Sequence, residues 1–246
     1  MPYKFSQPQK RAFATEEFMP TGAWTSQCTE AYNRLKQTRL LLHPYDGWKS
    51  TGDFNFLRDL WRIESFRLFN TIETDLTPLY EKQELEKVEF LRVRIMKKRP
   101  GFDLAKFPNL KVLSVRWMPG ITNLEKATSL EYLEIWGFTG AKHWDLTMMP
   151  RLATLDVRGA RGVESLDVRG LSKLRSLTLQ AMPKLTEVQG VNDLKIAPET
   201  WLHINGSKKL APGFLRRFGK AGFVSFQGKL IIKEGKCVRP WPDEAG

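Results

Sequence analysis

Apolar residues return along the middle of the chain in a fixed rhythm, L-x-x-L-x-x-L-x-x-L-x-L, about every two dozen positions. Leu57, Leu60, Ile63, Phe66 and Leu68 form one copy. Leu104, Phe107, Leu110, Leu113 and Val115 form a second, and Leu124, Ala127, Leu130, Leu133 and Ile135 a third. Leu146, Met149, Leu152, Leu155 and Val157 follow, then Val168, Leu171, Leu174, Leu177 and Leu179. A looser copy, Leu76, Leu79, Leu85, Val88 and Phe90, has three extra residues between its second and third anchors. The third anchors Ile63, Leu85, Leu110, Leu130, Leu152, Leu174 and Leu194 step by 22, 25, 20, 22, 22 and 20 residues. Such a period predicts a solenoid, in which each unit buries its apolar edge only against its neighbours.

The flanks break the rhythm. Residues 1–22 contain Pro2, Pro8 and Pro20 without periodicity and read as an extended or mobile lead-in. Residues 26–37 predict a short helix capped by Ser26, with Ala31 and Leu35 on one face. RLLLH at 39–43 reads as a strand, followed by a Pro-Tyr-Asp-Gly turn at 44–47. Leu40 and Leu42 match the spacing of Phe66 and Leu68, as in an edge or capping repeat. After Leu194 the pattern decays, with WLHIN (201–205) as a final strand and 212–220 as a short helix. Residues 222–235 alternate around Gln227-Gly228, a hairpin signal. The tail from Pro240 reads as frayed. The predicted organisation is a lead-in and cap helix (1–36), a solenoid (37–205) and a basic C-terminal cap and tail (206–246).

With leucines three apart upstream of an L-x-L strand, the chain resembles the leucine-rich repeat family over roughly residues 40–205. ITNLEKATSLEYLEI (121–135) and LTPLYEKQELEKVEF (76–90) look most like bacterial 22-residue repeats of the internalin type. The resemblance implies an α/β-type solenoid: a curved body of about six to eight repeats with a parallel concave β-sheet, an irregular convex side, a helical N-terminal cap and a helix/hairpin C-terminal cap. The family places asparagine three positions after the last strand anchor. Here those positions hold Thr71, Val93, Met118, Phe138, Ala160 and Met182. The turns must then be satisfied otherwise, with Gly137, Gly159 and Gly170 as candidates. Trp61, Trp117 and Trp144 fall at turns or convex segments and are expected to pack there in place of the missing ladder.

Strand side chains alternate between faces. If Leu113 and Val115 point inward, then Val112, Ser114 and Arg116 point outward, and successive strands set such residues in columns. The first reads Ser65, Lys87, Val112, Tyr132, Thr154, Ser176, Trp201. The second reads Arg67, Glu89, Ser114, Glu134, Asp156, Thr178, His203, and the third Phe69, Leu91, Arg116, Trp136, Arg158, Gln180, Asn205. Tyr, Trp and Arg dominate binding hot spots. The expected partner-binding residues are Tyr132, Trp136, Arg116, Arg158, Glu134, Asp156, Trp201 and His203. The competing reading has the charges pair with each other and the aromatics cover neighbouring strands.

Composition narrows the function. The chain has 246 residues, 41% hydrophobic and 27% charged, ordinary for a folded protein. Its net charge of +12 is the outlier, and the stretch Lys208–Arg239 holds nine basic residues against Glu234 alone. An acidic protein partner is expected from this balance. Nucleic acid is the alternative partner, through Arg216, Arg217, Lys220 and Lys229 interleaved with Phe214, Phe218, Phe223 and Phe226. Those phenylalanines also have the spacing of a cap core. Cys28 and Cys237 form no C-x-x-C pair and give no metal framework, and a disulfide scaffold is not needed at this size, which leaves a single bridge between the two ends open. No H-E-x-x-H, G-x-S-x-G or G-x-G-x-x-G occurs, and HPYD, HWDL and HING lack metal-ligand spacing. The stretch Gly213–Ala221 has one residue too many between its glycines for a phosphate loop, and Ala221 replaces the Ser or Thr. No catalytic residue, metal site or cofactor is expected. Without a signal peptide or membrane span, a cytoplasmic location is expected. These features point to a non-enzymatic protein-binding module, of which an intracellular inhibitor such as a toxin-neutralising immunity protein is one class. A nucleic-acid-binding protein and a secreted or surface interaction protein are the alternatives.

Overall fold

The computed structural model describes residues 1–6, 16–52, 54–69, 72–73, 75–91, 94–95, 102–118 and 120–242. Thr71 and Val93, the side chain of Leu91, Pro8 and the last four residues of the tail lie outside the described residues. The chain divides into two compact units, residues 1–127 and 128–246.

The first unit holds β1 (Tyr3–Phe5), β2 (Phe18–Pro20), α1 (Ser26–Arg34), β3 (Arg39–Leu42), β4 (Ser65–Phe69), β5 (Ile72–Glu73), β6 (Lys87–Leu91), β7 (Arg94–Ile95), β8 (Phe102–Asp103), β9 (Val112–Arg116) and β10 (Ile121–Thr122). Its main sheet runs β1-β2-β3-β4-β6-β9. From β2 onward the strands are parallel. Leu40, Phe66, Val88 and Leu113 stand in register, as do Leu42, Leu68, Phe90 and Val115. All eight are fully buried. Each coil therefore closes its neighbour's core, as a stack of repeats requires.

Two expectations for this unit change. The described parts of the lead-in, residues 1–6 and 16–22, contribute strands: β1 pairs antiparallel with β2, Tyr3 stacks on the buried Phe18 at 4.7 Å, and β2 joins the sheet beside β3. Strands of three residues are too short to show period-2 alternation, so the pattern hid them. The helix cap is Thr25 and not Ser26. Thr25 has extended dihedrals and its side chain accepts from the Cys28 amide, whereas Ser26 is already helical.

The second unit holds β11 (Tyr132–Trp136), β12 (His143–Asp145), β13 (Thr154–Arg158), β14 (Ser165–Asp167), β15 (Ser176–Gln180), β16 (Glu187–Gln189), β17 (Trp201–Asn205), β18 (Phe223–Phe226), β19 (Lys229–Lys233) and β20 (Lys236–Cys237). Strands β11, β13, β15, β17 and β18 are parallel neighbours; β19 and β20 add antiparallel. The sheet thus continues past WLHIN, the expected last strand. Leu133, Leu155, Leu177, Leu202 and Val224 form one inward row and are buried throughout. Pro212–Phe218 is a 3₁₀ helix, and the hairpin turns on Gln227 and Gly228, both at positive φ.

The side expected to be irregular carries a ladder of its own. Strands β12, β14 and β16 pair in parallel, burying Trp144, Leu166 and Val188 in one row. Asp145 and Asp167 end two of these strands and accept the Thr147 and Arg169 amides, so carboxylates satisfy turns here. In the main sheet the asparagine positions are filled by apolar contacts. Phe138, Ala160 and Met182 are buried, and Phe138 stacks on Trp144 at 3.9 Å. The residue before each of them, Gly137, Gly159 or Ala181, is left-handed and donates its amide to the last strand carbonyl of the next coil, Arg158, Gln180 or Asn205. Gly170 serves the second ladder instead. Trp144 packs as expected, whereas Trp61 stays 44% exposed, with its indole N–H on the Gln37 carbonyl and Lys36 over its ring.

Candidate functional site

The outward columns are laid down as the alternation requires. In the second unit Tyr132, Thr154, Ser176, Trp201 and Phe223 are successive partners, as are Glu134, Asp156, Thr178, His203 and Ser225, and Trp136, Arg158, Gln180 and Asn205. Seven of the eight expected site residues lie in these rows. Arg116 ends β9 in the first unit, where it is exposed.

Along β11, Tyr132, Glu134 and Trp136 share the outward face and are half-buried. The Tyr132 hydroxyl donates to Glu134 Oε2 at 3.4 Å. Burial, then the negative charge of Glu134, pushes the phenol well above its ordinary value, so it remains a neutral donor. Glu134 faces Asp156 directly across the strand pair. Two carboxylates in that relation repel. Arg158 relieves the repulsion: its Nε and Nη2 donate to the two Asp156 oxygens at 2.9 and 2.7 Å. This bidentate bond, with desolvation opposing, holds the guanidinium above its ordinary value. The fork that could grip a partner carboxylate is therefore occupied within the chain. His203 is half-buried in the same row, and desolvation lowers its imidazole below the ordinary value, leaving it neutral at pH 7. With His203 neutral, Glu134, Asp156 and Arg158 leave one net negative charge here. Such a surface selects a partner by shape and hydrogen bonding more than by acidity.

Trp201, 45% exposed, stacks on Phe223, the next residue of its row, at 3.7 Å and 7°. Beside this pair lies a cleft of about 420 Å³ whose apolar lining is Pro198, Trp201, Gly222, Phe223 and Leu230 and whose charged lining is Glu199, Glu234 and Lys233. Sequence reasoning singled out Trp201 but missed the cleft, because its walls come from a turn, a strand and a hairpin that no local pattern joins.

Part of the first unit's outward face is withdrawn from solvent. Ser114 and Ser65 are buried, and Met19, Leu41 and Phe69 form an apolar cluster. Arg67 lies between two carboxylates, with Nη1 2.6 Å from Glu17 and Nε 2.5 Å from Glu89. Burial raises the Glu17 carboxyl above its ordinary value, against the lowering influence of Arg67. Among the described residues there is no cluster of His, Cys, Asp and Glu able to hold a metal, and no helix is long and apolar enough to cross a membrane.

No family model and no curated protein matches the chain. Among solved structures it is similar to internalin C2 from Listeria monocytogenes str. 4b F2365. That likeness has 20% identity and a TM-score of 0.41, over 72% of this chain and 77% of the other.

Proposed function

We propose that the protein is a non-enzymatic protein-binding module that seats a partner on the outward sheet face of its second unit. The observation that supports this most is the set of large side chains left half-exposed on a regular parallel sheet: Tyr132, Trp136 and, three strands on, Trp201. Rigid aromatics beside hydrogen-bonding groups make the contacts that dominate interfaces. Around them Glu134, the Asp156–Arg158 pair and neutral His203 supply fixed acceptors and donors. Arg158, held by Asp156, offers its guanidinium plane and remaining N–H groups. Covering a toxin-like enzyme so that it cannot act is one biological use of such a surface.

Affinity capture from the native host, at low and high salt, tests the reading. Retention of a protein at high salt by wild type, and its loss from Tyr132→Ala/Trp136→Ala, is expected. Recovery of nucleic acid alone, released by salt, sinks the proposal. So does a complex indifferent to the double substitution.

A further inference from the structure

The cleft beside Trp201 offers an occupant apolar surface and little else. The backbone groups where its walls meet are spent within the chain. The Thr200 carbonyl accepts the Gly222 and Phe223 amides at 3.1 and 3.3 Å, and the Gly222 carbonyl accepts the Gly235 amide at 3.2 Å. The Thr200 hydroxyl accepts the Ala197 amide at 2.9 Å. The charges are balanced as well. Glu199 and Glu234 line the cleft with Lys233, and Arg175 lies 3.7 Å from Glu199, so two carboxylates stand among two cations. Neither sign of ligand is favoured. What remains is the apolar surface of Pro198, Trp201, Phe223 and Leu230.

The walls are held before anything binds. A Cβ at position 222 would fall 2.1 Å from the Pro198 carbonyl oxygen, so the two segments meet this closely only because residue 222 has no side chain. The stacked rings of Trp201 and Phe223 form one wall. The turn Glu234–Gly235, both residues at positive φ, is tied to Gly222 by the Gly235 amide. Trp201 also belongs to the outward row that runs Thr154, Ser176, Trp201, Phe223, which makes the cleft continuous with the sheet face.

We infer that this cleft takes one uncharged aromatic side chain of the partner, seated against Trp201, Phe223 and Leu230. The assignment to a partner rests on the sheet face holding one. Interfaces anchor through large side chains in desolvated pockets, and a pocket with held walls loses less freedom on binding. A ring suits this lining better than an aliphatic chain, because it adds an offset or edge contact to the Trp201–Phe223 pair. A guanidinium finds the same rings, but Lys233 offsets Glu234 and Arg175 offsets Glu199. A carboxylate meets the same balance without the gain from the rings.

The test uses the full chain and the N-acetyl amides of phenylalanine, arginine and glutamate, followed through backbone amide shifts. The phenylalanine probe is expected to move Gly222, Phe223, Leu230 and Lys233, and to bind about tenfold more tightly than either charged probe. Leu230 is half-buried. Leu230→Ala should reduce that preference and Leu230→Asp should remove it, with a melting curve for each variant to show that it folds. Three results overturn the inference: no shifts at millimolar probe, binding of the arginine or glutamate probe as tight as that of phenylalanine, or a preference that both Leu230 variants keep. The probes need no partner, whereas loss of a captured partner from Tyr132→Ala/Trp136→Ala reports on the sheet face, so the two readings fail separately.

Discussion

Arg67 and its two carboxylates place three formal charges on a face that water barely reaches. Glu17 is 3% exposed, and the side chains of Arg67 and Glu89 are 13% and 12% exposed. The group carries one excess negative charge, and burial raises the pKa of Glu17 as that excess demands. Removing the arginine leaves two facing carboxylates, so Arg67→Gln should cost about 3 kcal/mol or more. Glu17→Gln leaves a balanced pair and should be near neutral, within about 1 kcal/mol. Urea denaturation at pH 7 separates the two outcomes. The pH dependence follows from the direction of the shift. A carboxyl with a raised folded pKa holds its proton better folded than unfolded. Its contribution is full below the unfolded value, near 4.5, and is lost as pH rises through the raised folded value. Wild type should therefore gain stability from this group as pH falls from neutral toward 4.5, and Glu17→Gln should lack that slope. Arg67 and Glu89 were legible as neighbours in the middle column. Glu17 was not, since it belongs to a segment with no periodicity.

For the elements, the repeat told where strands lie and which way their side chains point, because stacking leaves the apolar anchors no other partner. It did not show how the turns close. Apolar residues stand where asparagine would accept backbone hydrogen bonds, so left-handed residues and direct backbone bonds take over. Phe138→Ala should cost about 3–5 kcal/mol, because it removes the ring stacked on Trp144 as well as the buried contact. The glycines of the second ladder make a sharper test. Gly170 and Gly190 both have positive φ, but a Cβ at 170 meets open space while one at 190 would lie 2.4 Å from the Arg169 amide nitrogen. Gly170→Ala should cost about 1 kcal/mol from dihedral strain alone. Gly190→Ala should cost well above that, and a melting curve for each variant checks the order. The short ladder β12-β14-β16 stayed hidden for the reason β1 and β2 did: three residues give no readable alternation.

At the scale of the whole molecule, charge and aromatic surface fall in different places. The chain carries +12, while the aromatic rows of the second unit hold one net negative charge and the cap from Lys208 to Arg239 holds nine cations against Glu234. The sequence showed the cationic stretch but left open whether it or the sheet face draws the partner, because Asp156 taking up Arg158 is a side-chain choice that periodicity leaves open. The separation predicts a split response to salt. Screening shortens to about 3 Å at 1 M ionic strength, so exposed lysines lose their reach while aromatic contacts do not. A partner held by both surfaces should lose only part of its affinity between 0.1 and 1 M salt, and should lose it through slower association. Lys233→Glu/Lys236→Glu should reduce that salt dependence and leave the dissociation rate at high salt unchanged. Trp136→Ala should raise the dissociation rate at every salt concentration. Binding kinetics with the captured partner decide the matter: if the lysine pair changes high-salt dissociation as much as Trp136→Ala does, the two surfaces are one contact and the division of roles drawn here is wrong.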